Sequence, residues 1–216
     1  MYKRVFKIKR RDITLKRFVE VERETKETKI KLSLQIVGDG VLDVPQPGLD
    51  GSSGVGFFDH MLNTFAVHGG FCIKINMSGD LNVDCHHSIE DIGIVLGTAF
   101  RKIIDQNKNI TRFASEFIPM DESLALCSVD LGGRAYLVFN ADFFQSNLIG
   151  EYDTQMTKEF FYALSQNMLS TIHINLLYGE NDHHKTEAIF KSAAKSIKKA
   201  LVLANEKNVV SAKGTI

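Results

Sequence analysis

The alternation of apolar and polar positions divides the chain into elements before any chemistry is considered. Residues 28–37, TKIKLSLQIV, alternate polar and apolar, the signature of a half-buried strand. GDGVLDVPQPGLDGSSG follows, with two of the three prolines and five glycines, and reads as a loop or hairpin connection. FFDHMLNTFAVHG (57–69) has helical apolar spacing and a glycine stop. FCIKINMSGDLNV reads as strand, turn and strand, and SIEDIGIVLGTAFRKIIDQN (88–107) as a helix. Further on, ESLALCSVDLGGRAYLVFNADF (122–143) predicts two strands around a Gly-Gly turn, and TKEFFYALSQNML (157–169) a helix. STIHINLLYGEND predicts a strand then a turn, and HHKTEAIFKSAAKSIKKALVLAN (183–205) a long amphipathic helix with lysines on its wet face.

The two halves share an order: strands, a helix beginning near a Phe-Phe pair, a strand, then a long helix opened by His-His-x-x-Glu. This is an internal duplication, with halves 1–115 and 116–216 in one pseudo-symmetric domain. The expected fold class is α+β, each half packing two helices on one face of a mostly antiparallel sheet.

Composition narrows the function classes. The 26 Lys+Arg cancel the 26 Asp+Glu, so no net field argues for nucleic acid or an anionic membrane. No apolar run approaches the roughly 20 residues that span a bilayer. The charged N-terminal stretch, MYKRVFKIKRRDITLKRFVEVERETKETK, has no apolar core and is not read as a secretory signal. The three cysteines, 72, 85 and 127, are odd in number and lack CxxC spacing, which fits a reducing cytoplasm without disulfides.

Four of the seven histidines fall in DCHHSIED (84–91) and DHHKTE (182–187). On a helix, residues four apart share a face while neighbours diverge by about 100°. His86 and Glu90 can therefore hold one cation together, and His87 points elsewhere. His183, Glu187 and His184 repeat the pattern. Two such motifs facing each other across a pseudo-twofold predict two sites, one from His86, Glu90 and His184, the other from His183, Glu187 and His87. Imidazole and carboxylate without thiolate suit Mn, Fe, Co or Zn with open positions. Cys85 reads as ordinary packing.

GVGFFDHML, DCHHSIEDIG, DESLALCSVDLGGRAYL and NDHHKTEAIFKS resemble the signature blocks of the imidazoleglycerol-phosphate dehydratase family, from about Glu27 to Lys213. The resemblance implies two Mn ions per active site. One takes His60, His87, His183 and Glu187. The other takes His86, Glu90, His184 and a position that is usually histidine and here is Glu159. It implies a phosphorylated imidazole substrate, which Glu27 reaches and whose phosphate is met by Arg112, Arg134, Lys191, Ser211 and Lys213. It also implies a 24-mer with active sites shared between subunits. The family commonly has Asp-Gln after DHML, where Asn63-Thr64 stand here, and LDVPQPGL looks like an insertion of about seven residues. His173 reads as an imidazole that packs or stands behind the ligands, rather than as a ligand itself.

The reaction so implied is a metal-assisted dehydration to imidazole acetol phosphate, with the imidazole ring as electron sink. Glu27, Glu90 and Glu187 are the candidate catalytic carboxylates. Glu27 is the expected proton carrier, because the other two are expected to be metal ligands. Asp91 and Glu122 are candidates for orienting imidazoles from behind. Two other readings remain: a two-metal hydrolase and a non-enzymatic metal-binding protein.

Overall fold

The computed structural model describes residues 17–37, 46–107, 109–141 and 144–204. The first half contains β1 (Phe18–Glu24), β2 (Thr28–Ile36), β3 (Gly48–Asp50), α1 (Gly56–Gly69), β4 (Phe71–Gly79) and α2 (His86–Gln106). The second repeats the order with β5 (Phe113–Met120), β6 (Ser123–Asp130), β7 (Tyr136–Asn140), α3 (Met156–Met168), β10 (Thr171–Tyr178) and α4 (Asp182–Ala200). A two-stranded ribbon, β8 (Leu148–Ile149) with β9 (Tyr152–Asp153), precedes α3.

The two sheets have the same topology, β1-β2-β4-β3 and β5-β6-β10-β7. In each, three strands pair antiparallel and the last joins in parallel. The alternation in β2 turns Ile30, Leu32, Leu34 and Ile36 inward. The helices cover the inner faces, α2 on β1 and β2, α1 on β3 and β4, α4 on β5 and β6, and α3 on β7. The halves then meet helix to helix, α2 on α3 and α1 on α4. Both sheets are thus outermost, and the core lies between them. Phe58, Phe160, Phe161 and Phe190 are fully buried at its centre, with Phe160 stacked on Phe190 at 5.4 Å. Burying one such ring contributes roughly 1.5–3 kcal/mol.

The α2–α3 crossing is close because α2 carries Gly93 and Gly97 on that side. A Cβ at Gly97 would lie 2.6 Å from the Leu164 carbonyl oxygen, and one at Gly93 2.8 Å from that of Phe160. α1 ends at Gly70, whose φ of 69° lets its N–H return to the carbonyls of Ala66 and Val67.

Two expectations are corrected and a third is extended. No second strand follows β4; Asp80 to Val83 form a turn closed by the Val83 N–H on the Asp80 carbonyl (2.8 Å). The two strands expected around Gly132-Gly133 are present as β6 and β7, but they do not pair with each other: β7 pairs in parallel with β10, across the sheet from β6. The segment read as a loop contains β3, while residues 38–45 lie outside the described residues. Among the described residues no helix is long and apolar enough to cross a membrane.

Candidate metal centre

Each His-His pair is set by the start of its helix. The Asn181 side chain caps α4, accepting the backbone N–H of His183 (2.9 Å) and His184 (3.3 Å). The Asp84 carboxylate accepts the His86 N–H (2.7 Å) at the start of α2. Helical spacing then brings His183 Nε2 to 3.3 Å from Glu187 Oε2, and His86 Nε2 to 3.6 Å from Glu90 Oε2.

α1 lies alongside α4 and adds a third donor. His60 Nε2 is 3.7 Å from Glu187 Oε2, and the His60 and His183 rings are 5.5 Å apart. One ligand atom from each of His60, His183 and Glu187 falls within 4.8 Å of the others. Two imidazole nitrogens and a carboxylate oxygen, with no thiolate, form a donor set that fits Mn, Fe, Co or Zn with positions left for substrate. The second Glu187 oxygen pairs with Lys191 at 2.6 Å. Burial acts to raise the Glu187 pKa, but Lys191, His60 and His183 outweigh it and hold the group ionised, below its ordinary value.

The second histidine of each pair turns away from this trio. His87 Nδ1 is 3.0 Å from Asp80 Oδ2, and its Nε2 is 3.9 Å from Glu27 Oε1. His184 Nδ1 is 2.7 Å from Glu122 Oε2, and its Nε2 is 3.6 Å from Asp121 Oδ2. The facing carboxylates raise both imidazole pKa values, Asp80 for His87 and Glu122 for His184. Glu122 is strongly lowered, first by the Asn181 N–H and then by His184.

Within one chain the two sites expected from the motifs alone do not close. The two motif helices pack on the opposite half's shorter helices rather than on each other. His183 and Glu187 gain His60 instead of His87, and His86 with Glu90 gain neither His184 nor Glu159. Glu159 sits half-buried in the first turn of α3, outside the converging trio. Phe57 stands beside the trio, with its ring 5.0 Å from that of His183 and 5.2 Å from that of Tyr152.

The basic residues divide into two groups. Lys191 is one turn beyond Glu187, and His68 at the end of α1 faces it. The His68 pKa is lowered by burial and then by Lys191 and Lys195. Arg112 and Arg134 converge elsewhere. Arg112 bonds Asp130 through Nε (2.7 Å) and Nη2 (3.1 Å), and Arg134 reaches the same carboxylate at 3.5 Å. Arg112 is buried, with φ of 74°, a conformation that long side chains adopt only when the surroundings impose it. Gly132 makes room: a Cβ there would lie 2.6 Å from Asp130 Oδ1. The Arg112 N–H bonds the carbonyl of Ala200 at the far end of α4, so roughly 25 Å of helix separates it from His183. Ser211 and Lys213 lie outside the described residues.

Other residues also differ from expectation. Asp91 orients no imidazole; it takes Arg23 Nε (2.9 Å) and the Thr28 hydroxyl, tying the β1–β2 hairpin that carries Glu27 to α2. His173 is exposed on the outer face of β10 rather than packed. Asn63, in the DHMLNT stretch, accepts the Leu49 N–H at 3.1 Å. Asp80 was missed because it acts from a turn seven residues before His87, outside any helical spacing. The signal that could have found it is an acid at the strand's end, just before a His-His-x-x-Glu motif.

The model of the family described as imidazoleglycerol-phosphate dehydratase matches residues 53–197. The dehydratase of Streptococcus mutans is 45% identical over 201 residues, 93% of this chain and 100% of that one. That of Methanosarcina mazei is 46% identical over 200 residues, again 93% and 100%. The crystal structure of the Staphylococcus aureus dehydratase superposes with a TM-score of 0.76 at 36% identity, covering 87% of this chain and 99% of that one. The Pyrococcus furiosus enzyme, crystallised in complex with (S)-C348, gives 0.75 at 33%, covering 91% and 100%. With sequence and fold agreeing over nearly its whole length, the chain belongs to the imidazoleglycerol-phosphate dehydratase family, hydro-lyases of histidine biosynthesis.

Proposed function

We propose that this chain converts imidazole glycerol phosphate into imidazole acetol phosphate and water at a centre of two Mn ions, in the cytoplasm, as a large homo-oligomer. The observation that carries this reading is the convergence of His60, His183 and Glu187 from two helices, beside a second, incomplete set in His86 and Glu90. The three described cysteines are free thiols, in keeping with a reducing compartment.

The reaction breaks a C–H bond on one carbon and a C–OH bond on the carbon next to the ring. The resulting enol moves a proton to become the ketone. Neither carbon adjoins a carbonyl, so the imidazole ring must take up the developing charge. Bound Mn would supply Lewis acidity there, worth several kcal/mol in such centres. His60, His183 and Glu187 would hold one ion, with His86 and Glu90 contributing to the other.

The chain's own residues do the rest. Glu27 stands at the β1–β2 turn, half exposed, on a hollow of about 290 Å³ lined also by Thr25, Thr28, Ser78 and Asp80. This position supports Glu27 as the carboxylate that takes the carbon-bound proton, with Glu90 and Glu187 occupied as ligands. Lys191 offers a point charge for phosphate one turn from Glu187, while the Arg112–Arg134 pair offers planar forks. The distance between these groups calls for a second copy to bring an Arg pair to the Lys191 side.

Stripping divalent metal with a chelator should abolish dehydration, and added Mn should restore it. Full turnover by protein shown to be metal-free would end the proposal.

A further inference from the structure

We infer that Asp80 and Glu122 are positioning residues: each holds the second histidine of a pair with its proton on Nδ1, so that Nε2 is presented to a cation. This inference rests on the two-metal reading above and deepens it. Asp80 Oδ2 is 3.0 Å from His87 Nδ1, and Glu122 Oε2 is 2.7 Å from His184 Nδ1. An ionised carboxylate only accepts, so the ring nitrogen it meets carries the hydrogen. The opposite nitrogen keeps its lone pair, the form that a metal ion requires. On that side the nearest carboxylates among the described residues, Glu27 and Asp121, stand at 3.9 and 3.6 Å, beyond hydrogen-bond length.

Both acids are committed to this task. Glu122 Oε1 accepts the backbone N–H groups of Glu180 (3.1 Å) and Asn181 (2.8 Å), which ties the β5–β6 hairpin to the loop opening α4. Asp80 Oδ1 is buried and without a hydrogen-bond partner among the described residues, so His87 is the group that answers this carboxylate.

The duplication explains why two different acids serve. Glu27 immediately precedes the first residue of β2, and Glu122 immediately precedes the first residue of β6, so the two are counterparts. In the second half the hairpin acid lies on the Nδ1 side of its histidine. In the first half Asp80, from the end of β4, occupies that side, and the hairpin acid is left facing Nε2. One twin orients a ligand, and the other is free to meet substrate.

The test is calorimetric titration of Mn into metal-stripped protein, comparing wild type with Glu122→Gln and Asp80→Asn. The glutamine oxygen still accepts from Glu180 and Asn181, but its amide donates to His184 and drives the ring proton onto Nε2. Removal of such an orienting partner weakens metal binding roughly 10–100-fold, and that loss is expected in both variants with the protein still folded and its assembly size unchanged. Affinities within roughly threefold of wild type, well inside that range, overturn the inference, as does a lowered melting temperature with unaltered affinity. Folded wild-type protein that takes up no Mn overturns the metal-centre reading itself, and the wild-type arm alone shows it.

Discussion

Glu27 and Glu122 occupy equivalent turns, yet their surroundings give them opposite uses. Glu27→Gln is expected to keep its Mn and lose turnover by roughly 10²–10⁴-fold, the range of a general acid–base group. Metal analysis with a steady-state assay checks this; a variant that loses its metal instead would make Glu27 a ligand. Glu122 carries a pH signature. Its carboxyl is depressed below the ordinary 4.5 by the Asn181 N–H and by His184. A depressed carboxylate stabilises the fold above its unfolded value, and that contribution is lost as pH falls toward the folded one. In metal-stripped protein the melting-temperature advantage of wild type over Glu122→Gln is therefore greatest above pH 4.5 and shrinks on acidification. A gap that stays constant would contradict the assigned contacts. The paired histidines and their glutamates were legible in the sequence because helical spacing alone brings His183 to Glu187. His60 came only through the resemblance, since it reaches them through the packing of α1 on α4, which no spacing encodes.

Between elements, a few positions without side chains set how closely the helices approach. In an exposed helix Gly→Ala stabilises by up to about 1 kcal/mol. At Gly97 the new methyl would meet the Leu164 carbonyl oxygen at 2.6 Å. Overpacking of that kind costs roughly 1–3 kcal/mol, so Gly97→Ala is expected to destabilise the protein in urea. A gain in stability would show that α2 and α3 have room to spare. The elements that the hydrophobic pattern missed have a common cause. β1 and β5 are edge strands of their sheets. β1 presents Glu20, Glu22 and Glu24 outward, so its composition reads as solvated chain. β5 has no fully buried position and contains Pro119, which a strand tolerates at an edge. The parallel pairing of β7 was hidden for another reason. Gly132-Gly133 resembles a hairpin turn, but it is used to clear space beside Arg112.

At the scale of the whole molecule, the duplication was legible and the way its halves meet was not. Two long helices with matching motifs invite a face-to-face arrangement, but each packs on the other half's short helix. One chain therefore carries a three-residue set, a two-residue set, and an Arg112–Arg134 pair roughly 25 Å from the first. The proposed centre needs these brought together by symmetry between copies, as closed assemblies of identical chains allow. Complementation tests this directly. His86→Ala removes a ligand from the first motif, and His183→Ala from the second, and each variant alone is expected to be inactive. After dissociation, mixing in equal amounts and reassembly, a site that takes its two motifs from different chains is intact in roughly a quarter of cases. Activity should return to about that fraction of wild type. If the sites were instead closed within each chain, every one would retain its own lesion, and the mixture would stay inactive at any ratio.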